Sequence, residues 1–303
     1  MERVGDSPDG GDQADRRERG RHRRPLLVPR DEDQERDDHD TTPDAEQRTE
    51  ETREESDEDE PHDRILRSVD DVLTRLRSEP EKAAVLLDVD GTLAPIVARP
   101  ELAAVPEETR AEVERLAARY ALVACVSGRT GEEAARIVGV GGVVYVGVHG
   151  LELAPEAERW RETLRPFASE QWPWVEDKGL TVAFHWREAE DEEGARRSLE
   201  AVADRARVAG LEARWGRKVL ELRPPVTADK GTAVQALLSE RRLSRALYAG
   251  DDTTDLDAFR GLDGLELAVR VAVASTEGPP ALREAANLVV ASPAELLDLL
   301  RVL

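Results

Sequence analysis

Residues 85–96 read VLLDVDGTLAPI: three apolar residues, two aspartates one residue apart, then glycine and threonine before the chain turns apolar again. A continuous apolar run suits a strand buried on both faces, as in a parallel sheet covered by helices. Two carboxylates at the end of such a strand are costly unless something there uses their charge. The fold and the chemistry therefore turn on where the rest of the chain repeats the pattern.

It repeats several times. ALVACVSGR (121–129) and GGVVYVGVHG (141–150) predict a second and a third strand, and ALYAGDD (246–252), LAVRVAVA (267–274) and NLVV (287–290) predict three more. Helical spacing separates them. Ile65, Val69, Val72, Leu73 and Leu76 form one apolar stripe that Pro80 ends, EETRAEVERLAARY (107–120) follows Pro106 with acidic residues in its first turn, and TGEEAARIVGV (130–140) and DKGTAVQALLSERRL (229–243) predict further helices. Buried strands alternating with helices predict an α/β fold, a doubly wound and mainly parallel sheet.

Between Gly150 and Pro225 the texture changes. Residues 156–177 look helical as far as Pro173, LTVAFHWR (180–187), LEARWG (211–216) and KVLELRP (218–224) read as strands, and EDEEGARRSLEAVADRARVAG (190–210) as a polar-faced helix. All five tryptophans, at 160, 172, 174, 186 and 215, lie here. This predicts an inserted small α/β domain at 151–225, splitting the core domain into 63–150 and 226–303.

Residues 1–60 hold 23 Asp/Glu and 11 Lys/Arg, so more than half of the chain's net charge of −22 sits on a fifth of its length. From Asp31 to Glu60 there is no large aliphatic or aromatic residue to offset the entropy of ordering, which predicts a disordered charged tail over 1–62. The acidic balance of the folded part argues against a nucleic-acid substrate. The single cysteine, Cys125, lies inside an apolar run and reads as a small core residue. Without an apolar leader or an eighteen-residue apolar run, the chain is expected to be cytoplasmic and to have no membrane partner.

In doubly wound sheets ligands sit at the carboxyl ends of the strands. The residues there are Asp88, Asp90, Ser127, His149, Asp251 and Asp252. Acidic groups converging at one sheet edge repel unless a cation lies among them, and an all-oxygen set favours Mg²⁺. Zinc lacks a Cys/His cluster. An EF-hand fails because Thr92, Leu93 and Arg99 stand where the loop needs its third ligand, its glycine and its bidentate glutamate. Beside such a metal, Ser127 offers a hydroxyl, Lys230 a compact positive charge, and Gly91 with Thr92 backbone N–H groups in a tight turn: a cradle for phosphate. One carboxylate could then attack phosphorus while the other works as acid and base. Each residue has a plainer reading too. Asp90–Gly91 is an ordinary turn pair, Lys230 fits a solvated first helical turn, and Asp252 and Asp255 fit an N-cap and a first-turn acid.

DVDGTL, VSGR, the lysine of DKG and GDDTTD, in this order, resemble the four motifs of the haloacid dehalogenase superfamily of aspartate-nucleophile phosphatases. GVHGLEL, VEDKGLTVAFHWR, KVLELRP and YAGDDTTDLDAF extend the resemblance over roughly residues 83–300 to the trehalose-6-phosphate phosphatases, with Leu256 a departure where many relatives carry an acid. The resemblance implies Asp88 as nucleophile, Asp90 as acid and base, and Asp88, the Asp90 carbonyl and Asp251 around Mg²⁺ with Asp252 and Asp255 in support. It implies Ser127, Gly128, Gly91, Thr92 and Lys230 around the phosphate, and a cap at 151–225 whose Glu176, Lys178 and Glu221 hold a sugar, with His149, Arg223 and His185 as further candidates. The implied substrate is trehalose 6-phosphate. Sucrose or glucosylglycerol phosphate, or a non-catalytic phosphosugar-binding scaffold, remain as alternatives.

Overall fold

A computed structural model describes residues 61–97, 100–216, 218–274 and 278–303. The tail expected over 1–62 lies outside the described residues, apart from Pro61 and His62, which open the first helix.

Helix α1 (Pro61–Ser78) spans the predicted segment, with Leu73 and Leu76 buried, Val72 packed against the core and Pro80 starting a short 3₁₀ turn after it. Then come β1 (Ala83–Leu87), α2 (Glu107–Arg119), β2 (Leu122–Val126), α3 (Gly131–Val138) and β3 (Val144–Val146). After a second set of elements the chain returns through α6 (Lys230–Arg241), β8 (Arg245–Gly250), α7 (Asp255–Gly261), β9 (Leu267–Val273), α8 (Pro280–Ala285), β10 (Leu288–Val290) and α9 (Pro293–Arg301). The six strands make one sheet in the order β10-β9-β8-β1-β2-β3, with every pair parallel.

Strand alternation sorts the core into two layers. Val85, Leu87, Val123, Leu247 and Val271 pack with α1, α2, α3 and α9, while Ala84, Leu86, Ala124, Val126 and Tyr248 pack with α6, α7 and α8. Both faces of β1 are buried, each fully buried leucine or valine contributing about 2 kcal/mol of transfer free energy, and its backbone pairs on both sides with β2 and β8.

The middle segment folds as α4 (Arg161–Ala168), β4 (Val175–Asp177), β5 (Val182–His185), α5 (Glu192–Val208), β6 (Glu212–Gly216) and β7 (Val219–Arg223), giving an antiparallel sheet in the order β4-β5-β7-β6. The helix expected from residue 156 to Pro173 is a 3₁₀ stretch followed by the short α4, and β4 emerges beyond it. Val182, Phe184, Leu220 and Leu222 face α4 and α5. The opposite face carries the directly paired row Glu176–Ala183–Glu221–Arg214. Where the chain leaves the parallel sheet and returns to it, Val148, Leu151, Leu180, Val226 and Ala228 share a small apolar cluster.

Candidate active site

Sheet order reverses between β1 and β8, the position where a doubly wound sheet opens its ligand crevice. Register then places the two acidic motifs side by side. Leu87 pairs with Ala249, and the Asp88 N–H donates to the Ala249 carbonyl at 2.9 Å, so Asp88 and Asp251 leave neighbouring strands at the same level. Asp88, Asp251 and Asp255 each offer a carboxylate oxygen within 4.8 Å of the others, and all three are buried.

Lysine 230 enters this cluster from the first turn of α6, where Asp229 caps the helix by accepting the Thr232 N–H at 2.8 Å. Gly231 lets α6 approach α7: a Cβ there would stand 2.3 Å from the Asp257 carbonyl. The Lys230 Nζ lies 2.8 Å from Asp88 Oδ1 and 2.7 Å from Asp255 Oδ1. Burial opposes its charge, but the two carboxylates outweigh that and raise its pKa, so it is a cation. The solvated reading of Lys230 fails, since only 2% of it is exposed.

Asp255 is fully engaged. Its Oδ1 accepts from Lys230 and from the Tyr248 hydroxyl, each at 2.7 Å, and its Oδ2 accepts the Asp251 and Asp252 N–H groups at 2.9 Å. A carboxylate with four donors has no lone pair left for a metal, so Asp255 holds the loop and the lysine in place. Asp252 is exposed on the cavity wall and stands outside the three-oxygen cluster.

Two carboxylates remain underpaired. Burial, with repulsion from Asp255 and Asp251, pushes Asp88 up to about 8 despite Lys230; burial, with repulsion from Asp255 and Asp252, pushes Asp251 up to about 7. A hard divalent cation fits such a pair: the donors are all oxygen, and Gly91 leaves the space open, since a Cβ on it would stand 2.1 Å from Asp251 Oδ2. The Thr92 hydroxyl, fully buried, donates to Asp251 Oδ1 over a long 3.5 Å.

One expectation about the phosphate cradle is corrected. The Gly91 N–H is committed to the Ala94 carbonyl at 2.8 Å, because the turn after β1 closes on itself, so it cannot serve an anion. Ser127 is buried just past the end of β2, and its Oγ accepts the Arg129 N–H at 3.2 Å. Asp90, Gly128, His149, Glu176, Lys178, Lys230 and Asp251 all line a cavity of about 550 Å³ with Asp88. A second cavity of about 260 Å³ opens on the paired row of the antiparallel sheet, bounded by Glu221, Arg214, His185 and Trp215, and shares His149 and Lys178 with the first.

Lys178 crosses between the two sheets, donating to the Gly128 carbonyl at 3.2 Å and lying 3.8 Å from Glu176. Glu176 is 2.9 Å from His185 Nε2; burial opposes its charge, yet that bond and Lys178 hold its pKa below the usual value. His149 adopts φ +52° between Val148 at +50° and Gly150 at +94°. Val148 and His149 are strained in this left-handed conformation whereas Gly150 is not, and the turn presents an imidazole whose buried Nδ1 has no partner among the described residues. Burial and the cations Lys230 and Lys178 push its pKa down to about 3. Arg223 lines neither cavity. It is buried, its Nη2 donates to the Ala228 carbonyl at 2.7 Å, and its buried Nε has no partner among the described residues.

Arg129, the last residue of VSGR, is a site residue that the motif alone leaves without a task. Its guanidinium meets Asp90 in a two-point contact at 2.6 and 2.7 Å, and the signal was its place in a motif at a strand end.

The family described as Trehalose-phosphatase matches residues 86–177 and 173–293. The trehalose-phosphate phosphatase of Mycolicibacterium paratuberculosis is 36% identical over 183 residues, 51% of this chain and 44% of that protein. The Mycobacterium tuberculosis protein of the same name is 35% identical over 189 residues, 52% of this chain and 46% of that protein, so the chain spans less than half the length of these curated relatives. Among solved structures, a trehalose-6-phosphate phosphatase related protein is 26% identical with a TM-score of 0.54, over 72% of this chain and 95% of that one. The C-terminal domain of Candida albicans trehalose-6-phosphate phosphatase, 22% identical, shares the fold with a TM-score of 0.58 over 76% of this chain and 94% of that one. With the family match running from β1 to the start of α9, the chain belongs to the trehalose-phosphatase family.

Proposed function

We propose that the chain hydrolyses trehalose 6-phosphate to trehalose and phosphate through a phosphorylated Asp88. The observation that carries this reading is the buried pair Asp88 and Asp251 at adjacent strand ends, met by Lys230 from the first turn of α6 and opening on a cavity of about 550 Å³ with room for a phosphorylated sugar. Family membership supports it, and so do the names of the relatives.

Asp88, Asp251 and the Asp90 carbonyl are the groups that would hold Mg²⁺. When bound, the ion would neutralise phosphate charge and lower the repulsion between the two carboxylates. Lys230 and Ser127 hold the phosphate oxygens, aided by the Thr92 N–H, and fix phosphorus in line with an Asp88 oxygen. In the first step an Asp88 O–P bond forms, the P–O bond to the sugar breaks, and Asp90 gives its proton to the leaving oxygen. In the second, water attacks phosphorus, Asp90 takes its proton, and the Asp88 O–P bond breaks.

The segment 151–225 acts as a cap in this reading. Glu176, Lys178 and Glu221 offer acceptors and donors to sugar hydroxyls from the cavity-facing side of the antiparallel sheet, and His149 sits at the junction of the two cavities as a neutral imidazole. Phosphate release with Mg²⁺ from a panel of trehalose 6-phosphate, sucrose 6-phosphate, glucosylglycerol phosphate and glucose 6-phosphate tests the proposal. The expected result is a clear preference for trehalose 6-phosphate in kcat/KM; preference for another member would reassign the substrate, and binding without release would replace the enzyme by a scaffold.

A further inference from the structure

The geometry points to Arg129 as a positioning residue that orients the Asp90 carboxylate for proton transfer, an inference that rests on the proposed acid and base role of Asp90. Arg129 Nε donates to Asp90 Oδ2 at 2.6 Å and Nη2 to Oδ1 at 2.7 Å. Among the described residues these are the only side-chain hydrogen bonds to that carboxylate. A two-point guanidinium contact sets the plane of a carboxylate as well as its place, which a lysine cannot do.

An exposed ion pair would deserve little weight, and Asp90 is 41% exposed. Arg129, however, is only 16% exposed and is built into a braced turn. Its N–H donates to Ser127 Oγ at 3.2 Å, and its carbonyl accepts the Val148 N–H at 2.8 Å. The His149 N–H donates to the Ser127 carbonyl at 2.9 Å, and the Glu152 carboxylate accepts from Gly131 and Gly147 at 2.9 and 2.7 Å, tying the two loops together. The Arg129 backbone is therefore anchored in the same turn as the Ser127 hydroxyl, and from there the guanidinium, less exposed than its partner, reaches both oxygens of Asp90.

Proton donation to a poor leaving group depends on the angle and distance of one carboxyl oxygen, whereas binding of the phosphate does not. A sugar oxygen needs that proton as its bond to phosphorus breaks. A p-nitrophenolate leaves without it. Loss of Arg129 should therefore fall on the first kind of substrate.

The test compares kcat/KM of the full chain, with Mg²⁺, on trehalose 6-phosphate and p-nitrophenyl phosphate for wild type, Arg129→Gln, Arg129→Lys, Asp90→Asn and the Asp90→Asn/Arg129→Gln pair, with thermal unfolding to confirm that each variant folds. Arg129→Gln is expected to lose about a hundredfold on the sugar phosphate and at least about tenfold less on the aryl phosphate, with Arg129→Lys recovering part. In the Asp90→Asn background the further loss on the sugar phosphate should shrink to less than about threefold, because the two residues act as one unit. Equal losses on both substrates, or an undiminished loss in the Asp90→Asn background, would overturn the inference. Wild type that spares trehalose 6-phosphate but cleaves another sugar phosphate overturns the substrate reading alone, and the comparison is then read on that sugar. Wild type inert on all of them overturns both.

Discussion

Gly91 shows how tightly one residue is determined by the site. Its φ is +77°, and a Cβ would stand 2.1 Å from Asp251 Oδ2, so Gly91→Ala meets both backbone strain of about 1 kcal/mol and a displaced Asp251 carboxylate. The variant is expected to lose Mg²⁺ affinity by about tenfold or more in a calorimetric titration. Asp88 makes the opposite case, a residue that costs stability for function. With its pKa up at about 8, far above the usual carboxylate range, the folded state disfavours its ionisation, so its contribution to stability falls as pH rises from about 4 to about 8. In EDTA, Asp88→Asn should therefore gain in melting temperature over wild type as pH goes from about 5 to about 8, and Mg²⁺ should narrow the gap. His149 titrates the other way. Held near 3, it should keep the NMR shift of a neutral ring well below pH 6, and the cost of keeping it neutral should draw on stability as pH falls from about 6.5 towards 3. Sequence alone had the identity of most of these residues but not their surroundings: nothing in DVDGTL tells that the Gly91 N–H is spent within its own turn, or that Asp255 has four donors and no lone pair left.

Elements carry the site through their ends. The turn that holds Ser127 and Arg129 runs into α3, where Thr130 accepts the Glu133 N–H and Glu133 reaches back to the Thr130 N–H. Thr130→Ala is expected to lose about 1 kcal/mol of unfolding free energy in denaturant titration, most of it from this reciprocal cap. The strands of the parallel sheet were legible because burial on both faces leaves continuous apolar runs. Strand β4 was not: three residues, Val175–Asp177, following a tryptophan-rich turn give too short an alternation to register, yet its pairing with β5 is what turns Glu176 to the open face. Helix α4 was overextended for a similar reason, since the pattern up to Pro173 is helical while the chain ends α4 at Ala168. Glu221 faces the second cavity, while Arg223, two residues further along the same strand, turns to the Ala228 carbonyl, a contact that no spacing in KVLELRP announces.

At the scale of the whole molecule, two sheets of different construction meet over one cavity. The parallel sheet supplies charge from adjacent strand ends, and the antiparallel sheet supplies a polar face from alternate residues; Lys178 on the Gly128 carbonyl and the small cluster around Leu180 and Val226 join them. No helix among the described residues is long and apolar enough to cross a membrane. The measurement that bears most directly on the central claim, that Asp88 takes the phosphoryl group beside a divalent ion, is phosphate release from trehalose 6-phosphate by wild type and Asp88→Asn, each in Mg²⁺ and in EDTA. The account predicts release only by wild type in Mg²⁺, with Asp88→Asn slower by about a thousandfold or more while still folded. Release that survives EDTA, or that Asp88→Asn retains, would contradict it.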